Sequence, residues 1–306
     1  MKTEVTIGVC VRNNASTIRE AIESIIGQDF PHELVELIVV VGHSEDKTLS
    51  IVKKVLENSV IRRKVINENK GLGYARQTAV DNAEGRYIVW VDGDMIISQD
   101  YVKKLFEFME KHPEVGIAKG KQALEPRGNL LATLEAHSRA AGKMVDYNSE
   151  KAFTKALGTS GCIYRVEAIR QAGGFDGNLR RYCEDWDVEI KVRTNGWSLS
   201  TVDALFLDYE RYRLTWKSLW RRYWLRGYYT HFFLHKKKGL IKHYRMFPPA
   251  AFLSGLRDAS KLFKLTGRKV IFLLPFQYVF KFTAWYSGFL RSHWTCYEPC
   301  PSRSGM

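Results

Sequence analysis

The sequence predicts an α/β protein: a mostly parallel sheet flanked by helices, followed by a basic, aromatic-rich helical C-terminal region. Three observations lead there. First, β-branched runs alternate four times with segments of helical periodicity between residues 4 and 111, with short links. Second, Tyr87 to Val91 is apolar throughout, as a strand covered on both faces should be, and it ends in Asp92-Gly93-Asp94. Third, the charge is split. Residues 206–306 hold 19 Lys and Arg against 4 Asp and Glu, with 25 of the 39 aromatic residues, while the first 205 residues are close to neutral.

The elements follow in order. Residues 4–11 read as a strand by β-branched content. After Arg12-Asn-Asn-Ala, Ser16 is placed to cap a helix carrying Ile18, Ala21, Ile22, Ile25 and Ile26 on one face. Leu37 to Val41 form a second buried strand, Gly42 to Asp46 a turn, and Thr48 to Leu56 a second helix. Val65-Ile66 is a short strand. The glycine loop 69–76 opens a third helix running to about Ala83, and the 87–91 strand comes next. Tyr101 to Lys111 is an amphipathic helix stopped by Pro113. Beyond Val115 the pattern loosens into a helix over 129–145, a glycine turn at 158–162, a short helix over 166–172 and a helix over 187–194. In a parallel sheet of this kind ligands gather at the carboxyl ends of the strands, where loops 12–16, 42–48 and 92–96 meet.

The chain is long enough for two domains, expected at 1–210 and 211–306. Five cysteines (Cys10, Cys162, Cys183, Cys296 and Cys300) show no zinc spacing, and their odd count argues against a disulfide framework, so a reduced, cytosolic setting is expected. The first residues, Met1-Lys-Thr-Glu-Val-Thr-Ile, contain no apolar signal segment.

The acids carry the chemistry. Asp92 and Asp94 are one residue apart at a strand end, so their side chains can converge on a divalent cation that carries phosphates. The same residues also suit an Asp-Gly turn. Glu184-Asp-Trp-Asp187 has the composition of a helix N-terminus, which the macrodipole favours. Arg76 can bind phosphate or a carboxylate, or lie solvated on its helix. Asp46 can contact a ligand or cap the helix after it.

Six stretches, in this order, resemble glycosyltransferase family 2, the inverting nucleotide-sugar-dependent enzymes of GT-A (Rossmann-like) fold. They are residues 5–14, Ser44-Glu-Asp-Lys-Thr48, Gly71-Leu-Gly-Tyr-Ala-Arg-Gln77, Asp92-Gly-Asp94, Gly161-Cys-Ile-Tyr-Arg165 with Gly173-Gly-Phe-Asp176, and Glu184-Asp-Trp-Asp187. The likeness spans about residues 4–230. It implies that Asp92 and Asp94 hold a magnesium or manganese ion on the donor diphosphate. It implies that Asp185 is the general base on the acceptor hydroxyl and that Glu184 helps place the acceptor. It implies nucleotide contacts at Asn13, Asp46, Gly71, Arg76 and Asp92, and a close approach of the Gly161 turn to the donor sugar. Two departures stand out. Val41-Gly42 replaces the acidic pair with which many members read uracil, which leaves UDP- and GDP-hexoses both open. No His follows the last strand, so Asp208 is the candidate third metal ligand. The processive Gln-x-x-Arg-Trp motif is absent, so one sugar per encounter is expected.

In the last third, Trp216, Leu219, Trp220, Tyr223, Trp224, Tyr228 and Phe232 recur at helical spacing among Lys and Arg, and Lys236-Lys-Lys238 follows. Such composition suits an anionic membrane interface. Residues 270–290 are apolar but broken by Pro275, Gln277 and Lys281, so an interfacial or re-entrant helix is expected rather than a span. A packed helical subdomain is the other reading.

The sequence therefore points to a glycosyltransferase moving a hexose to a lipid-linked acceptor, a polyprenyl phosphate or lipid-linked glycan, at the cytoplasmic face of a membrane. The alternatives are a soluble glycosyltransferase acting on a free saccharide or small molecule, and a non-catalytic basic RNA-binding protein. With an acidic site on the same chain, no nucleic-acid partner is expected.

Overall fold

A computed structural model describes residues 2–123, 129–143, 156–208, 214–237 and 247–295. The described chain divides into two compact units. One holds residues 1–123 and 147–209, the other residues 124–146 and 210–306. The single cut expected at 210 thus leaves out a segment near the middle of the chain that belongs with the C-terminal helices.

The first unit opens as the sequence predicts. Strands β1 (Val5–Val11), β2 (Val35–Gly42), β3 (Arg62–Glu68) and β4 (Tyr87–Trp90) pair in parallel in the order β3-β2-β1-β4. They are joined by helices α1 (Ile18–Ile26), α2 (Thr48–Leu56) and α3 (Leu72–Asp81). Every residue of β4 is buried, and so are all but the last of β2. That dry centre explains why both strands read as unbroken apolar runs. Beneath it Ile18, Ile22 and Ile25 of α1 pack with Val9, Val39 and Val89 in one core.

After β4 the sheet becomes mixed. A short β5 (Met95–Ile97) and helix α4 (Tyr101–Lys111) lead to β6 (Val115–Gln122). The chain then enters the second unit through α5 (Leu130–Lys143) and returns with β7 (Cys162–Arg165) and α6 (Val166–Gln171). Helix α7 (Glu184–Thr194) and β8 (Ser198–Asp208) complete an eight-stranded sheet ordered β3-β2-β1-β4-β7-β6-β8-β5. Strand β7 runs antiparallel to both β4 and β6, and β5 antiparallel to β8. Strands β5 and β6 were absent from the sequence reading. β6 hides itself because Gly116 and Gly120 interrupt it. A Cβ on Gly116 would meet the Trp197 side chain at 2.8 Å, and one on Gly120 would meet the Tyr101 hydroxyl at 2.3 Å, so large neighbouring rings demand glycine there.

Helix α1 starts one residue later than Ser16 suggests. Thr17 occupies the cap position without capping, and its hydroxyl instead donates to the Gly93 carbonyl at 2.9 Å. That bond ties the start of α1 to the acidic loop after β4.

The second unit is helical: α5, α8 (Trp216–Lys236), α9 (Pro248–Thr266), a 3-10 turn at Lys269–Leu273, and α10 (Leu274–Trp294). Leu134, Ala251, Ala259, Leu262, Ile271, Leu274 and Tyr278 form its main core. The residues that break the 270–290 apolar run are buried in it. Pro275, Gln277 and Lys281 all lie on the inner face of α10. Lys281 Nζ meets Glu135 Oε2 of α5 at 2.9 Å, and Tyr223 donates to Glu135 Oε1 at 3.2 Å. Among the described residues no helix is long and apolar enough to cross a membrane. Lys238, residues 209–213, Cys296 and Cys300 lie outside the described residues.

Burial alone raises the Glu135 carboxyl, but Lys281 and Arg139 outweigh it and hold the group at about 2. A carboxyl lowered on folding stabilises the native state fully above its unfolded pKa and loses that contribution as pH falls toward the folded one. We expect the acid limb of a circular-dichroism unfolding titration to steepen between about pH 4.5 and about 2. Glu135→Gln should flatten that limb and lower stability at neutral pH by about 3–5 kcal/mol, because Lys281 is left buried without its partner.

Candidate active site

The site is assembled at the carboxyl ends of β1, β2 and β4, where three loops are laced together. The Asn13 amide donates to Ser44 Oγ at 3.1 Å, and Asn13 Oδ1 accepts from the Glu45 amide at 2.9 Å. The Asn14 amide donates to Thr48 Oγ1 at 2.8 Å. Asp46 accepts from the Ala15 amide at 3.0 Å and from the Thr48 amide at 3.0 Å, and also from the Thr48 hydroxyl. That hydroxyl bond does most to hold the Asp46 carboxyl below the usual range. Asn13 sits at φ 55°, a left-handed conformation that Asn tolerates better than most residues. In these contacts Asn13 and Asp46 bind loop to loop; the N-cap position of α2 is Lys47, so Asp46 stands one residue before the cap.

Gly71 precedes α3 at φ 122°, and a Cβ there would meet Arg180 at 2.8 Å. Its amide donates to Glu68 Oε2 at 3.2 Å, and the Lys70 amide donates to the same carboxylate. Close by, a cleft of about 420 Å³ opens at the ends of β2 and β3, lined by Val41, Gly42, His43, Ser44, Leu49, Asn67, Glu68 and Asn69. Val41-Gly42, the departure noted in the sequence, forms part of its wall.

Arg76 lies at the centre. Its side chain is almost fully buried, yet Nε is 3.2 Å from Glu184 Oε1 and Nη2 is 3.8 Å from Asp92 Oδ1. The guanidinium also lies 5.2 Å from the centre of the Trp90 ring. Burial weakens the charged form of Arg76, but Glu184 and Asp92 outweigh it and raise the group further. Burial pushes the Glu184 carboxyl up, Asp185 adds to that, and Arg76 opposes both.

Helix α7 begins at Glu184, three residues before the sequence suggests, after Cys183 in a left-handed conformation (φ 72°). Its acids are not a plain solvated helix start. Glu184 pairs with Arg76, Asp187 pairs with Lys191 at 2.6 Å, and only Asp185 is half-exposed with a bond to its own helix, from the Trp186 amide at 2.8 Å. Beside Asp185 runs the 157–158 segment. A Cβ on Gly158 would come 3.3 Å from Asp185 Oδ2. Two buried charges clamp that segment. Glu189 accepts from the Leu157 and Gly158 amides at 2.8 and 2.7 Å, and Lys119 Nζ donates to the carbonyls of the same residues at 2.7 and 3.2 Å. Neither was singled out from sequence. The one signal was a lysine inside a segment otherwise suited to burial.

Gly93 separates the paired acids. It is buried at an ordinary φ, and a Cβ would strike Val11 Cγ1 at 2.5 Å, so contact with the end of β1 demands glycine there. Asp92 is about one third exposed, and Asp94 is half-buried. Asp208, the last residue of β8, is in register with Met95, the residue after Asp94. Gly161 takes φ 70°, and a Cβ would meet the Phe206 ring at 2.7 Å and the Tyr101 hydroxyl at 2.8 Å. Those two rings account for its glycine. The structure thus gathers Arg76, Asp92 and Glu184 into one contact group with Asp185 as the next residue. It sets Asp94 in the turn just before β5, whose first residue Met95 pairs with Asp208 of β8, and it leaves Asn13, Asp46 and Gly71 in the surrounding loops.

An acidic strand end, an acid-led helix and this mixed, mostly parallel sheet define a GT-A-like scaffold. The glycosyl transferase family 2 profile matches residues 6–171, so the chain belongs to that family. It is 35% identical over 104 residues to the glycosyltransferase GlyA of Streptococcus pneumoniae, across 34% of this chain and 15% of that one. It is 32% identical over 112 residues to the poly(ribitol-phosphate) beta-glucosyltransferase of Bacillus spizizenii, across 36% of this chain and 18% of the relative. The chain therefore spans less than a fifth of the length of these two relatives. Among solved structures, the mannosyltransferase PcManGT from Pyrobaculum calidifontis, in complex with GDP-Man and Mn2+, superposes with a TM-score of 0.67 at 18% identity, over 96% of this chain and 88% of that one.

Removing Arg76 should leave Glu184 buried without its cation. Arg76→Met is expected to lower stability by about 3–5 kcal/mol in urea unfolding, and Arg76→Met with Glu184→Leu to recover most of it. Equal losses in the single and double variants would show that the pair is not what holds α7 in place.

Proposed function

We propose that the chain is an inverting, metal-dependent glycosyltransferase that moves a hexose from a UDP- or GDP-sugar to a lipid-linked acceptor at the cytoplasmic face of a membrane. The observation that carries this reading is the Arg76 bridge. It holds Asp92 on the strand side and Glu184 on the helix side, with half-exposed Asp185 adjoining.

The acids fit a divalent cation. Asp92 and Asp94 offer hard oxygen donors one residue apart, Asp92 is open enough to share its ligand sphere with water or phosphate, and Asp208, the proposed third ligand, pairs through its backbone with Met95, the residue after Asp94. When bound, the cation would offset the charge that builds on the departing diphosphate. The protein residues do the rest. The cleft at the ends of β2 and β3 takes the nucleoside, rimmed by the loops that Asn13 and Asp46 lace together. Asp185 removes the acceptor hydroxyl proton as that oxygen attacks the anomeric carbon from the side opposite the leaving group, so one displacement inverts the centre. The clamp of Lys119 and Glu189 keeps the neighbouring backbone from shifting against Asp185. Glu184, tied to Arg76, positions the next residue and so the acceptor site.

Support for the donor and metal comes from the mannosyltransferase that binds GDP-Man and Mn2+, and support for a phosphate-bearing acceptor from the poly(ribitol-phosphate) relative. Support for a membrane comes from the second unit. Leu253 and Phe276 are each about two thirds exposed, and Leu256, Phe272 and Leu273 are also exposed on α9, the 3-10 turn and α10, in a region rich in Lys and Arg. The other reading, a soluble enzyme with a free saccharide acceptor, is favoured by the buried placement of Gln277 and Lys281, which makes α10 a core helix.

Asp185→Asn should cut transfer of labelled sugar by about 10²–10⁴ while leaving the thermal shift with a manganese-loaded UDP- or GDP-sugar intact. Loss of that shift would place Asp185 in the donor site instead. In liposome flotation at low salt, the wild type should rise with anionic vesicles and Phe272→Ser with Phe276→Ser should stay behind. A wild type that remains in the aqueous fraction would support the soluble reading.

A further inference from the structure

The second unit contains a cluster of ring nitrogens that the transferase chemistry does not use. His231 and His235 are one helical turn apart on α8, and His293 is on α10. His231 Nε2 is 2.9 Å from His235 Nε2 and 3.2 Å from His293 Nδ1, and the three ligand-capable atoms lie within 4.8 Å of one another. His231 is buried, while His235 and His293 reach solvent.

The two helices are held at close range by their glycines. A Cβ on Gly227 would come 1.8 Å from the Trp285 carbonyl oxygen, and one on Gly288 would come 2.0 Å from that of Trp224. The backbones therefore touch, and the side-chain contacts on either side ascend together, from Trp216 and Trp220 against Phe280 to His231 against Phe289 and His293, so α8 and α10 run parallel. Four residues beyond Gly227 comes His231, eight beyond comes His235, and five beyond Gly288 comes His293. The helix crossing itself delivers the three imidazoles to one spot.

We infer that this cluster is a site for a borderline transition-metal cation of the zinc class. Each imidazole nitrogen has one in-plane direction, along which it holds either a proton or a lone pair. A single Nε2 facing two other ring nitrogens can satisfy only one of them with a proton, whereas a cation between them satisfies all three. At zinc–nitrogen distances near 2.0–2.1 Å, ligand nitrogens of a tetrahedral site lie roughly 3.3 Å apart, close to the two short spacings here. The site also sits in the last turns of α8 and α10, where both helix dipoles favour positive charge. Three neutral nitrogen donors suit zinc and its neighbours and not magnesium or manganese, which prefer oxygen. The exposed side of His235 and His293 leaves a fourth position for water. The site staples the C-terminal ends of the two helices.

The test uses the full chain without a histidine tag, stripped with chelator, at neutral pH, with excess magnesium to occupy oxygen sites. Calorimetric titration with zinc should show one ion per chain and a raised melting temperature, and cobalt should give the visible absorption of a tetrahedral site. His235→Asn and His293→Asn, both at exposed positions, should each weaken zinc binding by at least about tenfold with an unchanged circular-dichroism spectrum. Absence of a zinc-dependent shift overturns the proposal. So does wild-type binding by the His235→Asn, His293→Asn double variant, including the case in which binding is lost instead in Asp94→Ala.

Discussion

A buried guanidinium sets the terms for the catalytic unit. Arg76 is nearly without solvent, and its charge is met by Glu184 and Asp92 from elements far apart in sequence. Arginine suits the position because its planar fork can face two carboxylates at once, and the Trp90 ring supports its face. In low dielectric the alternatives are costly. Either Glu184 goes neutral, or it stays charged beside Asp185 and Asp92 with nothing to offset it. The start of α7 is therefore pinned to the sheet edge by electrostatics as well as packing, and Asp185, one residue on, inherits its place from that pin. The left-handed Cys183 just before it gives the chain the sharp entry such a placement needs.

Much of this was legible in the sequence, for stated reasons. The first four strands and α1 to α3 lie in the parallel half, where burial on both faces writes itself as apolar runs, and α4 beyond them shares the clear periodicity of an amphipathic helix. Helices α2 and α4 have the predicted boundaries. The mixed half was not legible. β5 has only three residues, and β6 carries glycines and lysines for reasons that reside in Trp197, Tyr101 and the 157–158 segment, none of which a local window can see. The site acids were visible as a spaced set, but their partners were not. Nothing local tells that Arg76 faces inward, that Glu68 receives the amides at the start of α3, or that Lys119 and Glu189 grip one short stretch from opposite sides. Gly161 was assigned to approach of the donor sugar, and nothing local showed that Phe206 and Tyr101 also leave no room for a Cβ there, or that Val11 leaves none at Gly93.

The second unit shows why hydropathy misleads when a partner is distant. Lys281 reads as a break in an apolar helix. Its partner Glu135 is 146 positions earlier, in a helix that interrupts the catalytic unit in sequence. Once the two meet, with Ser138, Gln277 and Tyr223 adding hydrogen bonds, the lysine is a core residue and the helix is amphipathic in an unexpected sense. A division at 210 cannot find such a unit, because it puts Glu135 and Lys281 on opposite sides of the cut.

The same unit shows how close helix packing can generate chemistry. Where backbones touch through glycine, side chains one or two turns further along are forced into short range, whatever their identity. Leucines there would simply extend the core. Imidazoles there produce a nitrogen-rich point at the negative ends of two parallel helix dipoles, a setting with a preference for soft-to-borderline cations that the oxygen donors of Asp92 and Asp94 do not share. Ligand type, more than affinity, is what would sort cations between the two proposed sites: oxygen-preferring ions to the carboxylates and zinc to the histidines. The two proposed sites would then not compete for the same ion.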